Sequence, residues 1–352
     1  MPYFRTNIVN ESIQEESLDF TAYYVNNNVN YPLKVKLLTT LATDSNQTNA
    51  VIIGNGVVGA NQLLMNKNNF LGDVVFSNSL KYACEMLTNS VRFNRPLVLP
   101  NTLKNAYRML AQCNNFNSSI TVPDSIEDCS RMFQQCYHFN QPVHIPSKAI
   151  KCKDMFSWCH NFNQPIQLHN NLLDCTYMFQ LCYNFNQPVI IPNSVVDCDY
   201  MFSQCRNLNQ PVTIGHNVVN CADMFQLCSN FNQPVIIPNT AINCYSMFYS
   251  ANNFNQPIVI PSNVTNIVWM FFGAHNMYSN IYINGNPNAN NFISRNNSLN
   301  GNFQRINIHV TQNFTSSPYS MTNGISFKAM DDGNGYYNQN YNIYFYNNYV
   351  AI

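Results

Sequence analysis

Residues 128–146 read DCSRMFQQCYHFNQPVHIP. Cys129, Met132, Phe133 and Cys136 fall at i, i+3, i+4 and i+7, the spacing of one apolar face of an α-helix. This predicts a short helix of about two to three turns. Asp128 stands at its N-cap, where a side-chain oxygen accepts an early backbone N–H. Phe139-Asn140-Gln141-Pro142 ends the helix, because proline cannot continue one. Val143-His144-Ile145 then alternates in, out, in as a brief strand. Pro142 opens that strand and Pro146 closes it, positions where proline is tolerated.

The pattern recurs outward in both directions. Met86, Met109, Met132, Met155, Met178, Met201, Met224, Met247 and Met270 are each 23 residues apart. Leu63 extends the series one step back. The cap position repeats as Asp174, Asp197, Asn220, Asn243 and Asn266. After Met270 the register weakens: Ile281 and Ile283 are in place, whereas Ile306 and Ile308 come two residues late. A fixed period of this length marks a repeat architecture. One unit cannot bury its apolar side, but stacked units can. Strands would pair at ~4.8 Å while helices need ~8–10 Å, so the stack should curve with its strands on the concave side. The expected fold class is α/β, a solenoid of about ten coils over residues 61–285, each coil a short strand plus a short helix. β-rich segments flank it at 1–60 and 286–352 as caps or docking modules.

The units CSRMFQQCYHFNQPVHIP, CTYMFQLCYNFNQPVIIP and CADMFQLCSNFNQPVIIP resemble the leucine-rich repeat of bacterial surface antigens. They are most similar to its Met-Phe…Phe-Asn-Gln branch, found in bacterial surface proteins and mycoplasma lipoproteins. NVTNIVWMFFGAHNM, the last copy, shares the likeness. The resemblance implies a leucine-rich-repeat solenoid, adhesion and protein–protein contact, and no catalytic residues. The unit departs from the branch in being shorter, with Ile-Pro where the branch has Trp.

Twelve of the 13 cysteines hold fixed places in the repeat. One row precedes the Met by three residues (Cys129, Cys152, Cys175, Cys198, Cys221, Cys244). The other follows it by four (Cys113, Cys136, Cys159, Cys182, Cys205, Cys228). C-x6-C is not a zinc spacing and no His recurs beside it, so no metal is expected. Helices on neighbouring coils would hold the thiols too far apart for disulfides. A structural ladder of small buried hydrophobes remains.

Two short motifs invite other readings. Gly54-Asn55-Gly56-Val57-Val58-Gly59 has the G-x-G-x-x-G pattern, but a dinucleotide site needs a helix after the turn. Asn55-Gly56 between Val51-Ile52-Ile53 and Val57-Val58 reads instead as a hairpin. Asp331-Asp332-Gly333-Asn334-Gly335 lacks the ligand alternation of a calcium loop and reads as a hairpin tip. The seven His residues share no repeat position apart from chance, and no nucleophile, paired carboxylates or phosphate loop stands out, so no enzyme and no cofactor are expected. In the flanks, strands are expected at Phe20–Val25, Pro32–Leu41, Phe303–Val310, Ile325–Met330 and Tyr341–Val350.

Lys+Arg and Asp+Glu are both 17 in 352 residues, and charged residues make up 10% of the chain, against roughly 25% in average domains. With no basic surplus, nucleic acid is not an expected partner. No apolar run approaches the ~20 residues of a membrane span, and MPYFRTNIVNESIQEESLDF has no apolar h-region of a secretory signal. The expectation is a non-enzymatic structural and protein-interaction protein. The first reading is a bacteriophage virion component (tail, collar or fibre), made in the host cytoplasm, for assembly or host attachment. The alternative is a bacterial surface adhesin exported by a non-classical route. Expected partners are other virion or surface proteins, a host receptor or glycan, or a second copy of the chain. The candidate interaction face is the out-facing mid-strand column: Val98, Thr121, His144, Gln167, Ile190, Thr213, Ile236, Val259 and Tyr282.

Overall fold

The computed structural model describes residues 16–20, 33–37, 50–289, 292–293, 306–311 and 341–346. β1 (Glu16–Phe20) and β2 (Leu33–Leu37) pair antiparallel. Short strands follow: β3 (Val51–Ile52), β4 (Val74–Val75), β5 (Leu97–Val98), β6 (Ile120–Thr121), β7 (Val189–Ile190), β8 (Val212–Thr213), β9 (Ile258–Ile260) and β10 (Ile281–Ile283). β11 (Ile306–Thr311) and β12 (Tyr341–Tyr346) complete the order. From β3 onward all pairing is parallel: β3 with β4, β5 with β6, β7 with β8, and β9 through β12 in one sheet. Residues 143–145, 166–168 and 235–237 keep the same buried–exposed–buried alternation between these pairs.

A second ladder of parallel bridges runs through Gly59, Tyr82, Asn105, Asp128, Lys151, Asp174, Asp197, Asn220, Asn243 and Asn266. Each partner is 23 residues from the last, so the sequence period is one coil of a stack.

No helix occurs among the described residues. This corrects both the helix expected at Cys129–Cys136 and the α/β class. The chain turns there instead. In one coil the N–H groups of Ala106, Arg108, Leu110 and Gln112 donate forward to the carbonyls of Asp128, Ser130, Met132 and Gln134, at 2.7–3.0 Å. The N–H groups between them, of Met109, Ala111 and Cys113, donate back three residues. Two residues per coil take left-handed backbone to allow this, Arg108 at φ +52° and Gln112 at +62° in this coil. The same pair of positions is left-handed from Gln62 and Asn66 through to Trp269 and Gly273.

Spacing explains the outcome. An α-helix closes its hydrogen bonds within itself and needs ~8–10 Å to the next helix axis. Backbone ladders on both sides of this coil hold neighbours at strand separation, about 4.8 Å. The turns still return the predicted residues to the interior: Cys129, Met132, Phe133 and Cys136 are all fully buried. The curvature expected from a helix–strand mismatch loses its cause.

Two columns of phenyl rings fill the core. Phe70, Phe93, Phe116, Phe139, Phe162 and Phe185 form one, which Leu208 interrupts before Phe231 and Phe254 resume it, and Phe133, Phe156, Phe179, Phe202, Phe225, Phe248 and Phe271 form the other. Rings one coil apart stack at 5.4–6.2 Å between centroids. The columns touch each other at 4.1–4.4 Å. Such stacking adds to the area these side chains bury.

Both ends differ from the sequence expectation. Val51-Ile52 pairs in parallel with Val74-Val75, not antiparallel with Val57-Val58. Asn55-Gly56 is therefore a corner of the first coil, with Gly56 at φ +89°, and the hairpin does not form. Val51, Ile53 and Val57 are buried in the common core, so the stack includes residues 51–60. At the other end β11 sets Ile308 opposite Ile281, a step of 27 residues rather than 25. β12 sets Tyr341 opposite Ile306, a step of 35. β1 reaches the predicted Phe20–Val25 strand only at Phe20, while β2 lies inside Pro32–Leu41. The strand expected at Ile325–Met330 and the tip at Asp331–Gly335 lie outside the described residues.

Candidate interaction surface

The repeated polar residues build ladders along the stack. The Oδ1 of Asn140 accepts the backbone N–H of Asn163, one coil on, at 2.9 Å. Asn163 does the same for Asn186, and the series runs from Asn94 to Asn255. Gln164, Gln187 and Gln256 add Nε2 bonds to the Asn one coil back. The Asn-Gln of the repeat therefore satisfies backbone groups that proline-flanked strands leave open. Asp128, Asp174 and Asp197 accept the N–H two residues on, at 2.9 Å, so the predicted helix caps act as caps of turns. Asn220, Asn243 and Asn266 fill the same place and also bond to the side chain one coil back.

All 13 cysteines are free and buried. The thiols of Cys113, Cys136, Cys159, Cys182, Cys205 and Cys228 each donate to a core carbonyl at 3.0–3.1 Å. Ser90 precedes them in the column and its hydroxyl makes the equivalent bond to Leu64. In the other row Cys129 and Cys152 lie with sulfurs 3.1 Å apart. Coil spacing thus brings these thiols together, contrary to the distance argument drawn from helices. Burial pushes Cys84 and Cys113 up to about 12 and Cys136, Cys159 and Cys205 well above the usual thiol range. Among the described residues no group of three or more His, Cys, Asp or Glu side chains is placed to hold a metal ion.

The predicted face is a single column. Val98, Thr121, His144, Gln167, Ile190, Thr213 and Ile236 are exposed, and Val259 and Tyr282 are half-buried. Val98, Ile190 and Ile236 are 70%, 71% and 74% exposed. Tyr282 stacks on His309 at 4.5 Å. His144 faces Asp124 at 3.7 Å.

A second apolar ridge escaped the sequence reading. Ile150, Leu173, Val196 and Ile242 are exposed in register, with half-buried Val219 between them. Their N–H groups donate to the carbonyl one coil back, so only side chains are left to meet a partner. The paired apolar residues just before each cap (Ala149-Ile150, Val195-Val196) were visible, but their division into one buried and one exposed member was not. A shallow depression lined by Glu127, Lys148, Ile150, Asn171 and Leu173 opens on the ridge.

Beside the ridge lies a face of charge and aromatics. Lys153 sits over the Tyr177 ring, 5.6 Å from its centroid, and Tyr177 stacks on Tyr200 at 4.9 Å. Burial, reinforced by Asp197, raises Asp199 to about 6. Burial and the nearby Asp199 raise Asp223 to about 7, against the Tyr200 hydroxyl bond that favours its ionised form.

A family model described as "Mycoplasma protein of unknown function, DUF285" matches residues 57–144, 77–167, 104–215 and 192–284. The overlapping matches cover more than half of the chain and follow the coil stack. The chain belongs to this family. Its repeat is the 23-residue coil of short strands and turns described above. Neither a curated protein nor a solved structure matches the chain.

Proposed function

We propose that this protein is a non-enzymatic interaction scaffold, a solenoid of leucine-rich-repeat ancestry whose helical side has tightened into turns. The observation that carries the reading is the exposed column on the strand face. Val98, Ile190 and Ile236 stand out from the strand face as its most exposed large apolar side chains. Apolar side chains presented at regular spacing suit protein contact. We place the scaffold on a bacteriophage particle, as a tail, collar or fibre part. Mass spectrometry of purified virions should then find it, and its absence from them would reject that placement. The second reading is a cell-surface protein that contacts a host, favoured by the family's Mycoplasma description. Labelling of intact cells with a membrane-impermeant reagent would support it. The double variant Ile190→Lys/Ile236→Lys tests the face under either reading: partner capture or attachment should be lost, and unchanged binding would reject the column.

A further inference from the structure

The two cysteine rows share one period, yet their thiols are directed differently. In the row of Cys136 and Cys159 each thiol donates to a core carbonyl 26 residues back, that of Leu110 and of Phe133. Those hydrogens are committed to the backbone. In the row of Cys129 and Cys152 the thiols meet each other: the two sulfurs lie 3.1 Å apart and share one hydrogen bond. Cys221 and Cys244 share a side-chain hydrogen bond in the same row. Facing thiols therefore belong to the row and not to a single coil.

The backbone holds the contact in place. Asp128 and Lys151, immediately before the two cysteines, are bridge partners, and Cys129 donates its N–H to the Lys151 carbonyl at 3.2 Å. Parallel chains joined in this way run about 4.8 Å apart. A disulfide needs Cα atoms about 4.4–6.8 Å apart and an S–S bond of about 2.05 Å. The stack already supplies the first distance, and the sulfurs have about 1 Å left to close. All 13 cysteines are free, so among the described residues only hydrogen bonds and packing tie one coil to the next.

We propose that Cys129 and Cys152 are a disulfide site, which closes one whole coil into a covalent ring when the chain folds in an oxidising medium. The oxidant is a small-molecule disulfide such as oxidised glutathione. One cysteine, as thiolate, attacks that disulfide, forms a mixed disulfide and releases the first glutathione thiolate. The second cysteine, as thiolate, attacks the protein sulfur of the mixed disulfide, forms the Cys129–Cys152 bond and releases the second. The two protein thiols lose two electrons and two protons, and both protons end on glutathione. The exchange belongs to folding, because in the finished stack both sulfurs are fully buried and burial holds the Cys152 thiol well above its usual range. The site does not depend on which partner the strand column meets.

The stack supplies a fold-compatible control. Ala83 and Ala106 fill the place of Cys129 and Cys152 in earlier coils, both fully buried, so Cys152→Ala copies a coil that already exists. The full chain is refolded from denaturant in mixed reduced and oxidised glutathione, alkylated in denaturant and digested. Mass spectrometry should find a linked peptide joining Cys129 to Cys152, with Cys136 and Cys159 alkylated. Kept reduced, the chain should retain all its thiols. In Cys152→Ala, Cys129 should be alkylated as well. The rise in unfolding midpoint from reduced to oxidised protein should be larger in the wild type than in Cys152→Ala, because a cross-link restricts the unfolded chain. A refolded chain of native circular dichroism in which both cysteines are alkylated overturns the proposal. So does a Cys136–Cys159 link in comparable yield, which would mean that coil spacing alone decides, or an equal midpoint shift in the two proteins.

Discussion

Asn163 donates its backbone N–H to the Oδ1 of Asn140, one coil back, at 2.9 Å, and its own Oδ1 accepts the N–H of Asn186 at the same distance. A side chain thus carries the backbone hydrogen bonding past a corner where prolines interrupt it. Asn163→Ala removes the acceptor for both Asn186 and the Gln187 amide at 3.1 Å. A donor left without its acceptor costs about 1–3 kcal/mol. Chemical denaturation should show a loss of that size, and a loss near zero would mean that water replaces the ladder.

Phe156 stacks on Phe133 and Phe179 along its column and on Phe162 across it. Phe156→Ala should cost about 3–5 kcal/mol, the range for deleting a buried ring. Because each coil touches only its neighbours, hydrogen exchange should quicken first around residues 133–179. Uniform acceleration along the whole stack would contradict this.

The left-handed positions separate residue types by backbone cost. Gln204 has φ +63°, and no Val, Ile or Thr occurs at any position of this kind. Gln204→Val should destabilise by about 1–2 kcal/mol, the price of left-handed backbone for an L-residue. Gln204→Gly should be neutral or stabilising, since Gly273 already fills the matching place in a later coil. Thermal melts of the two variants check the order.

Thiol chemistry should distinguish the folded from the unfolded chain. The cysteines are buried and burial holds the thiols of Cys136, Cys159 and Cys205 in the unreactive protonated form. A thiol-reactive dye should label none of the stack cysteines in the native protein and all of them in denaturant. Cys159→Ser should retain most stability, because Ser90 makes the same bond in its own coil. Rapid native labelling would show that the core opens.

Stability should fall as pH rises from about 4 to about 7. The folded Asp223 keeps its proton up to about 7 and Asp199 up to about 6, whereas the unfolded carboxylates lose theirs near 3.8. The folded state binds more protons across that window, so each rise in pH favours unfolding there. Asp223→Asn should flatten the profile and raise the melting temperature above pH 7. A melting temperature that climbs through the same window would overturn the assignment.

The period, the buried Cys/Met/Phe set and the in–out strand were all legible in the residues around Met132. The helix was not a sound inference, because i, i+3, i+4, i+7 describes which residues share an apolar side and not how the backbone delivers them there. Alternating right- and left-handed turns meet the same pattern. What separates the two is the distance to the next coil, which one coil's sequence does not contain. The exposed strand column followed from alternation alone. The Ile150–Ile242 ridge shows only when coils are laid beside each other. The Asn55-Gly56 corner misled for a related reason: a local hairpin signal lost to burial of Val51, Ile53 and Val57 against the second coil.

Because Asn, Cys and Phe each bond or stack with the same residue type one coil away, the stack has no preferred number of coils. Excising or duplicating 23 residues, such as 175–197, would splice like onto like at the new junction. The molecule's reach can therefore change in whole steps of about 4.8 Å without redesign of its interior. Length becomes the easiest property of this scaffold for selection to adjust, and the spacing between whatever its two ends hold would change with it.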